Sequence, residues 1–332
     1  MPNEGLVKPA LYPGTAFAAI AGRVALVNGS RSVMLPNERD SQWLQALQPY
    51  LDGDHTVAEL TSGLDGTRLR HVKGLVRCLL ETGFARDASL DAAHGLTPEE
   101  RTRHKETLDY IAASSDSPAR RLEIFLRSGA YILGSGPYDV ALLSALSELG
   151  ILQSDRVDLD DLSDLKLRPY VAQDLTPTDV VINADDHMPL NVLGALATRF
   201  ARSRTLFITV ARTDGVGWIC PYLSPTACIR CAIQTAWETS ILPTARDVSR
   251  RPQTQRHAPS RPTVHMLAGL TAFEAFLAMT RCSPALRGAR TALSVNLETL
   301  ETIRYTYTPD PDCTACSQRR RRSKSHLTPT VV

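Results

Sequence analysis

The run TAFAAIAGRVALVNGSRSVMLP, residues 15–36, sets short apolar stretches between the breaks AGR and NGS. The second break is a turn signal, and the pattern predicts three short strands. From there the period lengthens. Trp43, Leu44, Leu47, Tyr50 and Leu51 recur at helical spacing, and Thr56 followed by Glu59 makes a capping box. Leu69, Val72, Leu75, Val76, Leu79 and Leu80 line one side of a third helix that Gly83 stops. The first ninety residues read as a small α+β unit.

Residues 86–120 read as a connection with one polar helix, capped by Thr97 and opened by Pro98. After it, GAYILGSGPYDVALLSALSELGI gives an apolar strand, a glycine turn and an amphipathic helix, the opening of a nucleotide-binding βαβ unit. Strands follow in SDRVDLDD, TDVVINADDH and TLFITVA, with a helix near PLNVLGALATRFA. This alternation predicts an α/β domain whose Rossmann-like sheet is mainly parallel and covered by helices. Residues 240–263 lack apolar periodicity and read as a surface crossover loop. VHMLAGLTAFEAFLAM returns to helix, and ALSVNLETLETIRYTYTP supplies late strands. The expected domains are 1–90, a helical linker 91–120, a second domain 121–317, and a basic tail 318–332 containing QRRRRSK.

A length of 332 residues suits two domains, and 43% hydrophobic with 22% charged residues is an ordinary soluble composition. The formal charge of +2 gives no reason to expect a nucleic-acid or membrane partner. No stretch approaches ~20 uninterrupted apolar residues, and MPNEGLVKPALYPG lacks a signal-peptide layout, so a cytoplasmic location is expected. Seven cysteines in a reducing compartment argue for metal or isolated core thiols over disulfides.

Those cysteines carry the clearest chemistry. Cys228 and Cys231 form one C-x-x-C pair, Cys313 and Cys316 another. Two such knuckles supply the four thiolates of a structural tetrahedral zinc site, which has no open position for catalysis. A redox dithiol, needing only one knuckle, and unliganded core thiols are the alternatives. Cys78, Cys220 and Cys282 read as packing residues. On the third helix Arg68, Arg70, His71, Lys73 and Arg77 crowd the polar face, either as a solvated surface or as a seat for an acidic peptide. In the glycine turn, Gly134 and Gly136 fill two of three G-x-G-x-x-G positions and Asp139 stands at the third. A carboxylate there can satisfy amides at the helix start, and it would occupy or repel the place of a phosphate.

From about residue 120 to 317 the order of motifs resembles the ThiF/MoeB-like adenylating proteins, relatives of ubiquitin-activating enzymes. The matching segments are the glycine turn, VDLDD in place of D-x-D, NADDH in place of an ATDN-like pattern, TACIRC and CTAC. The resemblance implies that Asp158 stands for the ribose-binding acid, Asp186 for the magnesium-binding aspartate, and the four cysteines for the zinc ligands. Leu167 takes the place of the arginine that contacts ATP phosphates in the family, and no cysteine lies between Cys231 and Cys282, where transthiolating members keep one. With the glycine loop also altered, the departures count against adenylation, against sulfur transfer and against ATP as a cofactor; no catalytic residue is expected.

LDGDHTVAEL followed by LVRCLLETGFA resembles the PqqD-like recognition element of ribosomally made, modified peptides, a winged-helix-like unit of three strands and three helices. In that family a leader peptide adds a strand to the third strand and leans on the third helix. The resemblance implies contacts from Arg31, Ser32, Val33, Met34 and Leu35, and from Arg68, His71 and Lys73. The whole arrangement resembles the Ocin-ThiF-like proteins of thiazole/oxazole-modified peptide pathways, including thiopeptide clusters. It implies a partner that holds an acidic leader and presents the precursor to a separate YcaO cyclodehydratase, and, as ThiF-like proteins are commonly dimers, a homodimer. The rival expectation is an active enzyme that adenylates a peptide carboxylate or amide. A zinc-ribbon nucleic-acid binder is disfavoured, because the basic residues surround no aromatic platform or recognition helix.

Overall fold

The computed structural model describes residues 6–20, 23–29, 31–35, 39–134, 136–170, 174–185, 188–213, 216–222, 260–282 and 291–306. The chain divides into two compact units, Met1–Glu123 and Ile124–Val332.

In the first unit β1 spans Pro9–Leu11, β2 Ala16–Ile20, β3 Arg23–Asn28 and β4 Arg31–Leu35, followed by α1 at Arg39–Leu47, α2 at Val57–Leu60, α3 at Gly66–Glu81 and β5 at Ala85–Asp87. The antiparallel sheet has the order β2-β3-β4, as the turn signals predict. Val24, Leu26 and Leu35 turn one face of it onto Leu44, Leu47, Val72, Leu75, Val76, Leu79 and Phe84, which together make the core. Two strands carry no period in the sequence: β1 and β5 are three residues each and pair antiparallel, Pro9 opposite Asp87. Pairing alone reveals them, because three residues are too few to show alternation.

Local hydrogen bonds explain where these helices start. The capping box forms in full, with Thr56 N–H donating to Glu59 Oε2 at 2.7 Å and Glu59 N–H donating to Thr56 Oγ1 at 3.2 Å. Asp65 caps α3, accepting from the amides of Arg68 at 2.9 Å and Thr67 at 3.1 Å. Gly83, at φ +75°, turns the chain out of α3, a conformation that costs glycine least. The Arg68 amide holds the Asp65 carboxyl below its ordinary value of 3.8, with burial acting weakly the other way. A depressed acid contributes stability above its unfolded-state pKa and loses it as pH falls through the folded value. Acidification below pH 3.8 should therefore fray the start of α3. Helicity lost on acid titration should be smaller in Asp65→Ala than in the unaltered chain.

The stretch expected as a linker with one helix holds two, α4 at Pro98–Arg103 and α5 at Lys105–Ala112, broken at His104. It lies in the first unit, where Asp91 accepts from Arg86 Nη1 at 2.5 Å and from the Ser117 amide at 2.7 Å. The boundary between units falls inside α6, Pro118–Leu126.

The second unit runs β6 Gly129–Leu133, α7 Pro137–Glu148, β7 Gln153–Arg156, β8 Val180–Asn183, α8 Leu190–Ser203, β9 Leu206–Thr213, β10 Val216–Tyr222, α9 Arg261–Thr280, β11 Thr291–Asn296 and β12 Thr302–Thr306. Its seven strands lie in the order β12-β11-β10-β9-β8-β6-β7. β7, β6, β8 and β9 are mutually parallel, and β11, reversed twice, shares their direction, so five of seven strands point one way. The sheet is thus mainly parallel, with an antiparallel side built by β10, β11 and β12. β10 is the strand that sequence patterning misses, because it contains Pro221, and proline demotes a strand reading. Helix α9 begins at Arg261, capped by Ser260, so it cuts into the stretch read as loop. Among the described residues it alone is long and apolar enough to cross a bilayer. It is mostly buried, packing against α7 and β10 in the interior.

Candidate functional site

Two places stand out: an open strand edge in the first unit and a filled glycine turn in the second. Among the described residues β4 pairs only with β3, so its other edge has no strand partner. The register sets Asn28 opposite Arg31 across a two-residue turn. Such a turn makes that closing pair hydrogen-bonded, and the antiparallel ladder then alternates. Val33 and Leu35 consequently bond β3, while the amides and carbonyls of Ser32 and Met34 face outward. The Ser32 and Met34 side chains are exposed, Met34 at 46%; Leu35 is buried in the core.

The cations of α3 do not share one face. Arg68 is exposed and lies 3.5 Å from Asp65. His71 is half-buried, its Nε2 3.2 Å from Oδ1 of the buried Asp40 and its ring 5.8 Å from that of Trp43. It ties α3 to α1. Lys73 is half-buried and, at about 100° per residue, lies well around the helix from both. Asp40 was missed from the sequence, because nothing local marks one polar residue as the buried partner of a histidine 31 positions on.

In the second unit the chain turns from β6 into α7 through Gly134 at φ +152°. A Cβ there would stand 3.3 Å from the Ala184 backbone, so the turn is pressed against the end of β8. Gly136 caps α7, and Asp139 folds back to it: Oδ1 accepts the Gly136 amide at 2.5 Å. Oδ2 lies 2.8 Å from Arg156 Nε, and the carboxylate is 1% exposed. Arg156 Nη2 also reaches the Gly134 carbonyl at 3.4 Å. Asp158 is exposed just beyond β7. Leu167 packs against the core of Tyr131, Leu162 and Phe207. Its neighbour Arg168 is turned to Asp179, so neither residue serves the turn. Asp186 lies outside the described residues.

Cys228, Cys231, Cys313 and Cys316 also lie outside the described residues. The strands that lead to them are described. β10 and β12 flank β11, both antiparallel to it, with Ile219 opposite Leu293 and Thr306 opposite Thr291. Both therefore leave the sheet at the same rim, two strand spacings or about 10 Å apart. From there, five residues lead to Cys228 and six to Cys313. Cys220 and Cys282 are buried, and Cys78 is half-buried with its thiol pushed up by burial, in keeping with packing roles.

No family model matches the chain, and no curated protein matches it. Solved structures do. A heterocyclase in complex with substrate and cofactor aligns at TM-score 0.59 and 16% identity, covering 98% of this chain and 41% of that one. The heterocyclase TruD aligns at 0.61 and 19%, covering 98% and 45%. E. coli MccB with AMPCPP and MccA aligns at 0.62 and 12%, covering 93% of this chain and 99% of that one. At these identities the likeness is one of fold. The chain spans less than half the length of the two heterocyclases and nearly all of MccB.

Proposed function

We propose that this chain binds the leader of a ribosomally made precursor along β4 and presents the rest to a separate YcaO-type cyclodehydratase. That partner forms thiazolines and oxazolines, in a thiopeptide or related azole pathway, while this chain turns over no ATP. What carries the reading is the contrast between its two sites: an edge that has no strand partner among the described residues, and a glycine turn already filled by a carboxylate. Strand addition would use the outward backbone groups of Ser32 and Met34 for affinity, with their exposed side chains and α3 giving selectivity. Arg68 and Lys73 would favour an acidic leader; His71 would hold α3 in place through Asp40. Tethering raises the effective concentration of the precursor at the partner without new chemistry here. The shared fold with two heterocyclases supports this, and their unmatched length corresponds in this reading to the separate cyclodehydratase.

A second reading, adenylation of the peptide by this chain, draws support from the nearly full-length likeness to MccB, including a structure with ATP at 12% identity and TM-score 0.59. ATP–pyrophosphate exchange with precursor peptide separates the two. The isolated chain should show no exchange above background; robust exchange would overturn the non-catalytic reading.

Zinc belongs to the proposal as a structural ion held by Cys228, Cys231, Cys313 and Cys316, fastening the rim where β10 and β12 end. Metal analysis of the purified chain should find one zinc per chain, and Cys228→Ser with Cys313→Ser should lose it. A full zinc complement in that double variant would exclude this ligand set. The proposed homodimer forms through the second unit.

A further inference from the structure

Asp139 brings to the glycine turn the negative charge that a phosphate would otherwise bring. It stands third in α7, a helix of 12 residues, with its carboxylate 1% exposed. The two groups best placed to grip an anion are both committed to it: the Gly136 amide at 2.5 Å and the Arg156 guanidinium at 2.8 Å. Pro137, first in the helix, has no N–H to offer. The Arg156 side chain is 48% exposed and reaches over from β7, the strand beside β6. Without the carboxylate, that cation and the Gly136 amide would be left without their acid at the positive end of α7.

We propose that Asp139 is a built-in anion that shuts this turn to phosphates. Replacing it with a small neutral residue opens a site for inorganic phosphate or pyrophosphate, formed by the Gly136 amide and Arg156 at the start of α7. This rests on the reading that the chain turns over no ATP, and it supplies the physical cause. A tethered carboxylate competes at a local concentration that dissolved phosphate cannot match, and its ion pair with Arg156 adds Coulomb attraction.

The test titrates inorganic phosphate, pyrophosphate and, in a separate arm, ATP into the full chain and into Asp139→Ala and Asp139→Asn, reading heat of binding and phosphorus NMR line width. Asp139→Ala should bind phosphate or pyrophosphate at least about tenfold more tightly than the unaltered chain. Adding Arg156→Ala should abolish the gain. Asp139→Asn keeps an acceptor for the Gly136 amide while removing the charge, so it preserves the helix cap and should show a smaller gain; it decides the matter if the alanine variant fails to fold. A saturable ATP arm beside a weak phosphate arm marks the nucleotide as the ligand, and the reverse marks the free anion; either supports an opened site. Equal phosphate binding by the unaltered chain and Asp139→Ala, or none by a folded Asp139→Asn, would overturn the inference. The functional reading fails separately, if the unaltered chain catalyses ATP–pyrophosphate exchange.

Discussion

Asp179→Ala should cost the second unit about 3 kcal/mol or more of stability. Asp179 is 1% exposed and sits where β6 and β8 begin. Its Oδ1 accepts the Gly129 amide at 2.8 Å and Arg168 Nη2 at 2.6 Å, and its Oδ2 accepts the Arg168 amide at 2.8 Å. Arg168 in turn donates to the Arg127 carbonyl at 2.5 Å. Removing the carboxylate leaves the buried Gly129 amide and the Arg168 amide without that acceptor; each unsatisfied donor costs about 1–3 kcal/mol. The guanidinium is partly exposed and can hydrate, so the loss sits mainly on the two amides. Asp179→Asn keeps one acceptor and should fall between. Urea denaturation followed by tryptophan fluorescence checks this, and a shift of the midpoint at unchanged slope is the expected form. A loss under about 1 kcal/mol would show that the clamp is replaced by other contacts or water.

Met34→Pro should weaken leader binding at least about tenfold while leaving the melting curve of the chain nearly unchanged. The Met34 amide faces away from β3, so proline removes a donor that an added strand would use and spares the β3–β4 ladder. Val33→Pro is the contrasting variant. Val33 pairs with Leu26 inside the ladder, and its loss should lower stability first. If Met34→Pro binds leader like the unaltered chain, the leader does not extend the sheet at β4.

How legible these sites are in the sequence depends on how local their partners are. Asp139 could be read as a cap because Gly136 is three residues away and the helical period fixes the geometry; Arg156 could not, because the fold brings it there from the next strand. The same holds for Asp179, whose partners Gly129 and Arg168 lie 50 and 11 residues off. Leu167 could be read as an arginine lost, but its place against the core under α8 emerges only from packing. The basic face of α3 looks uniform as composition, yet the structure divides it: Arg68 outward, His71 against Asp40 and Trp43, and Lys73 around the helix. Long apolar periods, as in α3 and β6, survived translation into structure because burial enforces them.

The central claim is that β4 and α3 hold a leader peptide, and fluorescence anisotropy tests it most directly. A labelled acidic leader peptide of an azole-forming precursor is titrated with the full chain at low and high salt. The account predicts saturable binding that weakens as salt rises, as expected for an acidic leader meeting Arg68 and Lys73. Absence of saturable binding at either salt concentration would contradict it.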